Sequence, residues 1–240
     1  MKNQINISKL FRCALIAAPL FLARNDAAAV PLTTFSFPGA SGSEASLPPV
    51  SQPSGATVGN MTRGSGLSPT ANAGTFSASG WTASEARDLN DYFSFAIATD
   101  PGYLLSLTRL ELDERRSPTG IGQWAIYSSL DGFASALASF SVPDNASTRV
   151  DQGVALGSGF SALTGNVEFR IYGFQSENSA GTWRIDNVEL EGALSRIPVL
   201  SQIPVSTPDA GSSIALLGIA LGALGFVAQR RSAQPHALVR

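Results

Sequence analysis

The 240 residues carry 16 lysines and arginines against 18 acids, with a single cysteine, Cys13, and a single histidine, His236. Between Val30 and Val205 there is neither, and the 16 acids of that stretch face nine arginines and no lysine, a net charge of −7. This excludes a Ser-His-Asp triad, a cysteine nucleophile and a His/Cys zinc site from the stretch, and its acidic balance argues against nucleic acid as a partner.

The chain opens with Lys2, Lys9 and Arg12, then the 11 apolar residues from Cys13 to Ala23, then Ala27-Ala28-Ala29. A positive start, a short apolar run and a small-residue site predict a secretory signal peptide over 1–29. Its partner is the secretion translocon. Export leads to a compartment that permits disulfides, yet the segment that follows has no cysteine to form one.

Residues 30–196 read as one folded domain, long enough for a core of its own. Thr33 to Phe37 alternates and predicts a first strand. Pro38 to Thr75 is rich in Gly, Ser, Pro, Thr and Ala and reads as loops with short strands; a disordered linker is the competing reading. Strands are expected at Tyr92–Ile97, Leu104–Leu112 and Gln123–Ser129, with Asp100-Pro101-Gly102 as a turn. Along Leu104–Leu112, Leu105, Leu107, Arg109 and Glu111 are expected on one face. Ala136–Val142 and Arg149–Leu156 are weaker strand patterns. Val167–Phe174 alternates most clearly. Thr182–Glu191 repeats the pattern, provided that a bulge at Asp186-Asn187 brings Ile185, Val188 and Leu190 to a common core. Short strands separated by Gly/Pro turns, with no long helical pattern, predict an all-β fold, an antiparallel β-sandwich or jelly roll.

Residues 197–207 contain Pro198 and Pro204 and read as a linker. Pro208, Asp209, Ala210, Gly211 and Ser212 then lead into the uncharged run Ser212–Ala228, 17 residues closed by Arg230 and Arg231. As a helix the run is about 25 Å long, close to the roughly 30 Å hydrocarbon core of a bilayer. It is predicted as a transmembrane helix within 208–231, with Arg230 and Arg231 as the membrane stop and 232–240 as a cytoplasmic tail.

Pro208, Asp209 and Gly211, followed by an apolar run and a basic end, resemble the C-terminal sorting domain of the PEP-CTERM class of Gram-negative bacteria, in its Val-Pro-Asp-Ser-Gly variant. Thr207 and Ala210 depart from that motif. The resemblance implies transient anchoring in the inner membrane, recognition by an exosortase, and delivery to the cell surface or extracellular matrix. Leu112 to Gly120, Trp124 to Phe133 and Trp183 to Val188 resemble exported bacterial β-sandwich domains of jelly-roll shape similar to carbohydrate-binding modules, which implies extracellular polysaccharide as a partner.

Four groups of residues carry candidate chemistry. Arg115 and Arg116, in the cluster Asp113-Glu114-Arg115-Arg116, are candidates for bidentate contacts at the rim of a sugar groove; a solvated loop of mutual ion pairs is the plainer reading. Trp124 and Trp183 lie within alternating strands and read as core, whereas Trp81, between Gly80 and Thr82, is the tryptophan best placed as an exposed stacking platform. Asp186 and Asn187 are the candidate oxygen ligands of a Ca²⁺ ion, the one cofactor considered. Glu111 with Asp113, Glu189 with Glu191, and Glu168 sit on strands where a glycosidase would hold its carboxylate pair. The expected role is nevertheless non-catalytic, structural or adhesive, at the cell surface. A carbohydrate-binding module and a glycoside hydrolase are the alternatives.

Overall fold

The computed structural model describes residues 30–198, and the expected leader, sorting motif, transmembrane run and basic stop lie outside them. The strands in chain order are β1 (Val30–Phe35), β2 (Ser46–Leu47), β3 (Ala56–Val58), β4 (Met61–Arg63), β5 (Ser68–Pro69), β6 (Phe76–Ser79), β7 (Tyr92–Thr99), β8 (Tyr103–Arg116), β9 (Gln123–Ser128), β10 (Ala138–Ser141), β11 (Arg149–Ala155), β12 (Asn166–Phe174) and β13 (Trp183–Arg196). They form two antiparallel sheets. The first runs β11-β8-β13-β6-β5, with β1 also paired to β13; the second runs β10-β9-β12-β7-β4-β2, with β3 also paired to β7. Among the described residues no helix is long and apolar enough to cross a membrane.

The sandwich follows from period-two patterning. Val167, Phe169 and Ile171 of β12 and Ile185, Val188 and Leu190 of β13 are buried on the inner faces. Aromatic rings from the two sheets meet there: Phe35 on Phe95 at 5.0 Å between centroids, Phe76 on Phe93 at 5.3 Å, and Phe93 on Trp183 at 5.4 Å. Each fully buried large side chain of this kind contributes about 1.5–3 kcal/mol.

Two bulges set which residues face out. On β13 the register with β8 slips between Asp186 and Glu189, which sit opposite Asp113 and Glu111. Asn187 is the extra residue, with φ of 45°. Asn is among the few side chains that tolerate that left-handed geometry. Its Nδ2 donates to Asp113 and its Oδ1 accepts from Ser36, while Asp186 Oδ1 accepts from the Phe37 amide. The bulge puts Ile185, Val188 and Leu190 in the core, as their spacing requires.

The second bulge lies on β8, where Leu107 pairs with Gly192 and Arg109 with Glu191. Thr108 is the extra residue there. The strand therefore does not hold Leu105, Leu107, Arg109 and Glu111 on one face: Leu105 and Leu107 share the core with Leu110 and Leu112, and Arg109 and Glu111 turn outward.

The segment 38–75 contributes four short strands. Arg63 fixes its first half. The guanidinium donates to the carbonyls of Glu44, Gly42 and Ser77 and lies 3.6 Å from the Phe76 ring centroid. Burial lowers its pKa to about 10, and the three carbonyls give each guanidinium nitrogen one acceptor.

Candidate functional site on the outer face of the first sheet

β8 continues unbroken to Arg116, so Asp113, Glu114, Arg115 and Arg116 are strand residues rather than a loop. Alternation separates them. Glu114 and Arg116 turn inward and are 1% and 2% exposed, while Asp113 and Arg115 turn outward. This removes Arg116 from any groove rim. It pairs with Glu177 and donates to the Ser117 and Pro118 carbonyls, fastening the loops at the end of the sandwich.

Trp81 is not a platform either, at 2% exposure. Its ring packs edge-on to Phe93 and Trp183, and its Nε1 donates to the Ala78 carbonyl at 3.0 Å. Gly173 leaves the space it occupies: a β-carbon there would lie 2.7 Å from Trp81 Cε3. Trp124 and Trp183 are fully buried, in agreement with their place in alternating strands.

The strand register places the outward residues of β8 and β13 opposite one another as four steps. Arg115 faces Arg184, Asp113 faces Asp186, Glu111 faces Glu189, and Arg109 faces Glu191. Directly opposed side chains have β-carbons about 4.5–5.5 Å apart. Carboxylate oxygens of Glu111, Glu189 and Glu191 lie within 4.8 Å of one another. Partial burial, then Glu111, Glu191 and Asp151, raise the Glu189 pKa. Arg109 supplies a counter-charge by pairing with Glu111. Among the described residues this is the one group of three acids that converges so closely; Glu168 is apart, on β12 with Arg170. The oxygens of Asp186 and Asn187 serve the bulge through Phe37 and Ser36.

The arginine and aspartate steps line a cavity of about 240 Å³ together with Asn72, Ala73, Thr75, Glu114 and Thr148. Its walls are hydrogen-bonding and charged, unlike the mainly apolar lining of a drug-type pocket. Burial raises the pKa of Asp186, with Asp113 adding to the effect, while burial and then Arg115 lower that of Arg184. Arg184 and Thr148 carried no distinct signal in the sequence, because their meeting depends on register and on β11.

The second sheet presents its outer aromatics differently. Arg87 covers Tyr127 at 3.6 Å and Tyr172 at 4.7 Å, and Arg170 lies 4.5 Å from Tyr92 and 4.0 Å from Phe133. The chain's own guanidinium groups occupy those ring faces through cation–π contacts.

No family model and no curated protein matches the chain. Similar solved structures include a family 29 carbohydrate-binding module, at 13% identity over 68% of this chain and 92% of that one, with a TM-score of 0.36. The K3 adhesin domain of Lys-gingipain from Porphyromonas gingivalis is similar at 17% identity over 68% and 98%, with a TM-score of 0.36. A family 61 module in complex with β-1,4-galactotriose is similar at 14% over 60% and 89%, with a TM-score of 0.26.

Proposed function

We propose that the protein is an exported, non-catalytic glycan-binding component of the bacterial surface or matrix, and that it contacts polysaccharide through the outer face of the first sheet. The observation that carries the reading is the cavity of about 240 Å³ lined by Asn72, Asp113, Arg115, Arg184 and Asp186. Sugars present many hydroxyls in fixed directions, and a rigid strand surface with carboxylate acceptors and guanidinium donors meets them with charge-assisted hydrogen bonds. The bulge pinned by Asn187 and Asp186 holds part of that surface in place before any ligand arrives. Such preorganisation lowers the entropic cost of binding.

Export and anchoring rest on the sequence. Residues 1–29 direct secretion, the apolar run Ser212–Ala228 holds the protein in the inner membrane, and the motif at Pro208–Ser212 offers itself to an exosortase. The absence of histidine and cysteine between Val30 and Val205 supports a binding rather than a nucleophilic role. The glutamate step carries its own arginine partner and stands beside the cavity rather than in it.

Affinity electrophoresis of the full-length chain through gels containing different polysaccharides tests the reading. Retardation by at least one polysaccharide is expected. Unchanged mobility across a broad panel refutes it.

A further inference from the structure

The stretch from Val30 to Val205 has nine arginines, and seven have an evident partner inside the fold. Arg63 donates to the carbonyls described above, and Arg87 to the Phe133 carbonyl. Arg109, Arg116, Arg149 and Arg170 pair with Glu111, Glu177, Glu114 and Glu168. Arg196 donates to the Tyr103 hydroxyl. The remaining two are Arg115 and Arg184. Among the described residues no carboxylate lies within ion-pairing distance of either. They face each other across β8 and β13, and both line the same cavity. Arg115 Nε is buried without a hydrogen-bond partner.

Like charges directly opposed on a sheet destabilise it, and an unmet buried donor adds to that cost. Guanidinium groups stay protonated under all ordinary conditions. An anion placed between the two would remove the repulsion and satisfy the free donors. The rest of the ladder limits what kind of anion enters. The Asp113–Asp186 step lies two residues along the strands, about 6.8 Å away, and the glutamate step follows it. A run of adjacent negative charges would be repelled there, whereas hydroxyl groups would find acceptors in the aspartates. The match is one carboxylate at the arginine step, followed by the hydroxyl-bearing ring to which it belongs.

We infer that the cavity recognises an isolated uronic acid residue of an acidic heteropolysaccharide, with its carboxylate bound by Arg115 and Arg184 and its ring hydroxyls by Asp113. This rests on the glycan-binding reading and names the class of sugar at that site. Single replacement of either arginine by glutamine is expected to weaken binding roughly tenfold, the scale of one charge-assisted contact.

The test uses the full-length chain and two forms of one polymer, xanthan and xanthan whose glucuronate carboxyls have been reduced to alcohols. Native xanthan is expected to bind at least about tenfold tighter than the reduced form, with the preference lost in Arg115→Gln and Arg184→Gln and weakened by added salt. Thermal melting checks that both variants remain folded; their side chains lie on the outer face. Equal binding of the two polymers, unchanged in the variants, overturns the uronate assignment and leaves glycan binding standing. Preference for a sulfated galactan over native xanthan overturns it in favour of sulfate. Failure to bind any polysaccharide, charged or neutral, removes the glycan reading and the inference with it.

Discussion

Trp183 Nε1 donates to a carboxylate oxygen of Glu114 at 2.7 Å inside the sandwich. The other carboxylate oxygen pairs with Arg149, so one inward acid on β8 ties the core of β13 to the edge strand β11. Removing one partner of a buried charged pair leaves the other uncompensated. Glu114→Ala is expected to cost about 3 kcal/mol in chemical denaturation. Glu114→Gln, which keeps an acceptor for Trp183, is expected to cost roughly half as much. An alanine variant as stable as the parent would show that the pair does not join these strands.

Glu189 stands opposite Glu111 on the outer face, and its pKa lies above the usual 4.5, through partial burial first and then its acidic neighbours. The folded chain therefore holds this proton more tightly than the unfolded chain. The resulting penalty is absent below the unfolded pKa, grows as pH rises through it, and is complete above the folded value. Glu189→Gln should be more stable than the parent near neutral pH, by less than about 1 kcal/mol because the group is largely solvated. The gap should close as pH falls below about 4.5. Urea titrations at several pH values measure it; a gap that is constant with pH contradicts the assignment.

Gly173 makes room for Trp81. Gly173→Ala is expected to cost about 1–3 kcal/mol through overpacking and to red-shift tryptophan emission as the indole is displaced. An unchanged stability and spectrum would mean that the ring is not seated against this position.

The tail makes a prediction independent of the sandwich. Intact mass of the protein recovered from its native host should end near Pro208–Ser212, with the apolar run removed. A mass that retains Arg230 and Arg231, confined to the membrane fraction, would reduce the tail to a plain anchor.

Much of the sandwich was legible because β7, β9, β12 and β13 alternate with period two between Gly/Pro turns. The bulge at Asn187 was legible as well, since Ile185, Val188 and Leu190 cannot share a face without it. The bulge at Thr108 was not, because β8 alternates plausibly in either frame and only its partner strand decides. Arg115 was visible as a candidate, but the same charge cluster concealed that Glu114 and Arg116 turn inward to meet Trp183 and Glu177. Trp81 misled for a related reason. Its neighbours in sequence are small and polar, and the space that buries it is made by Gly173, far along the chain. Arg184 became a site residue only when β13 was laid beside β8.

Equilibrium binding of the full-length chain and its Ala73→Trp variant to a polysaccharide that retards the parent, with sugar release assayed in the same samples, tests the central claim most directly. Ala73 is exposed and lines the cavity, so an indole there fills it without touching the core. The account predicts saturable binding by the parent, loss of at least about 90% of the affinity in the variant, and no release of sugar by either. Equal binding by the two proteins would contradict the cavity as the site. Release of reducing sugar by the parent, abolished in Glu189→Gln, would contradict the non-catalytic role.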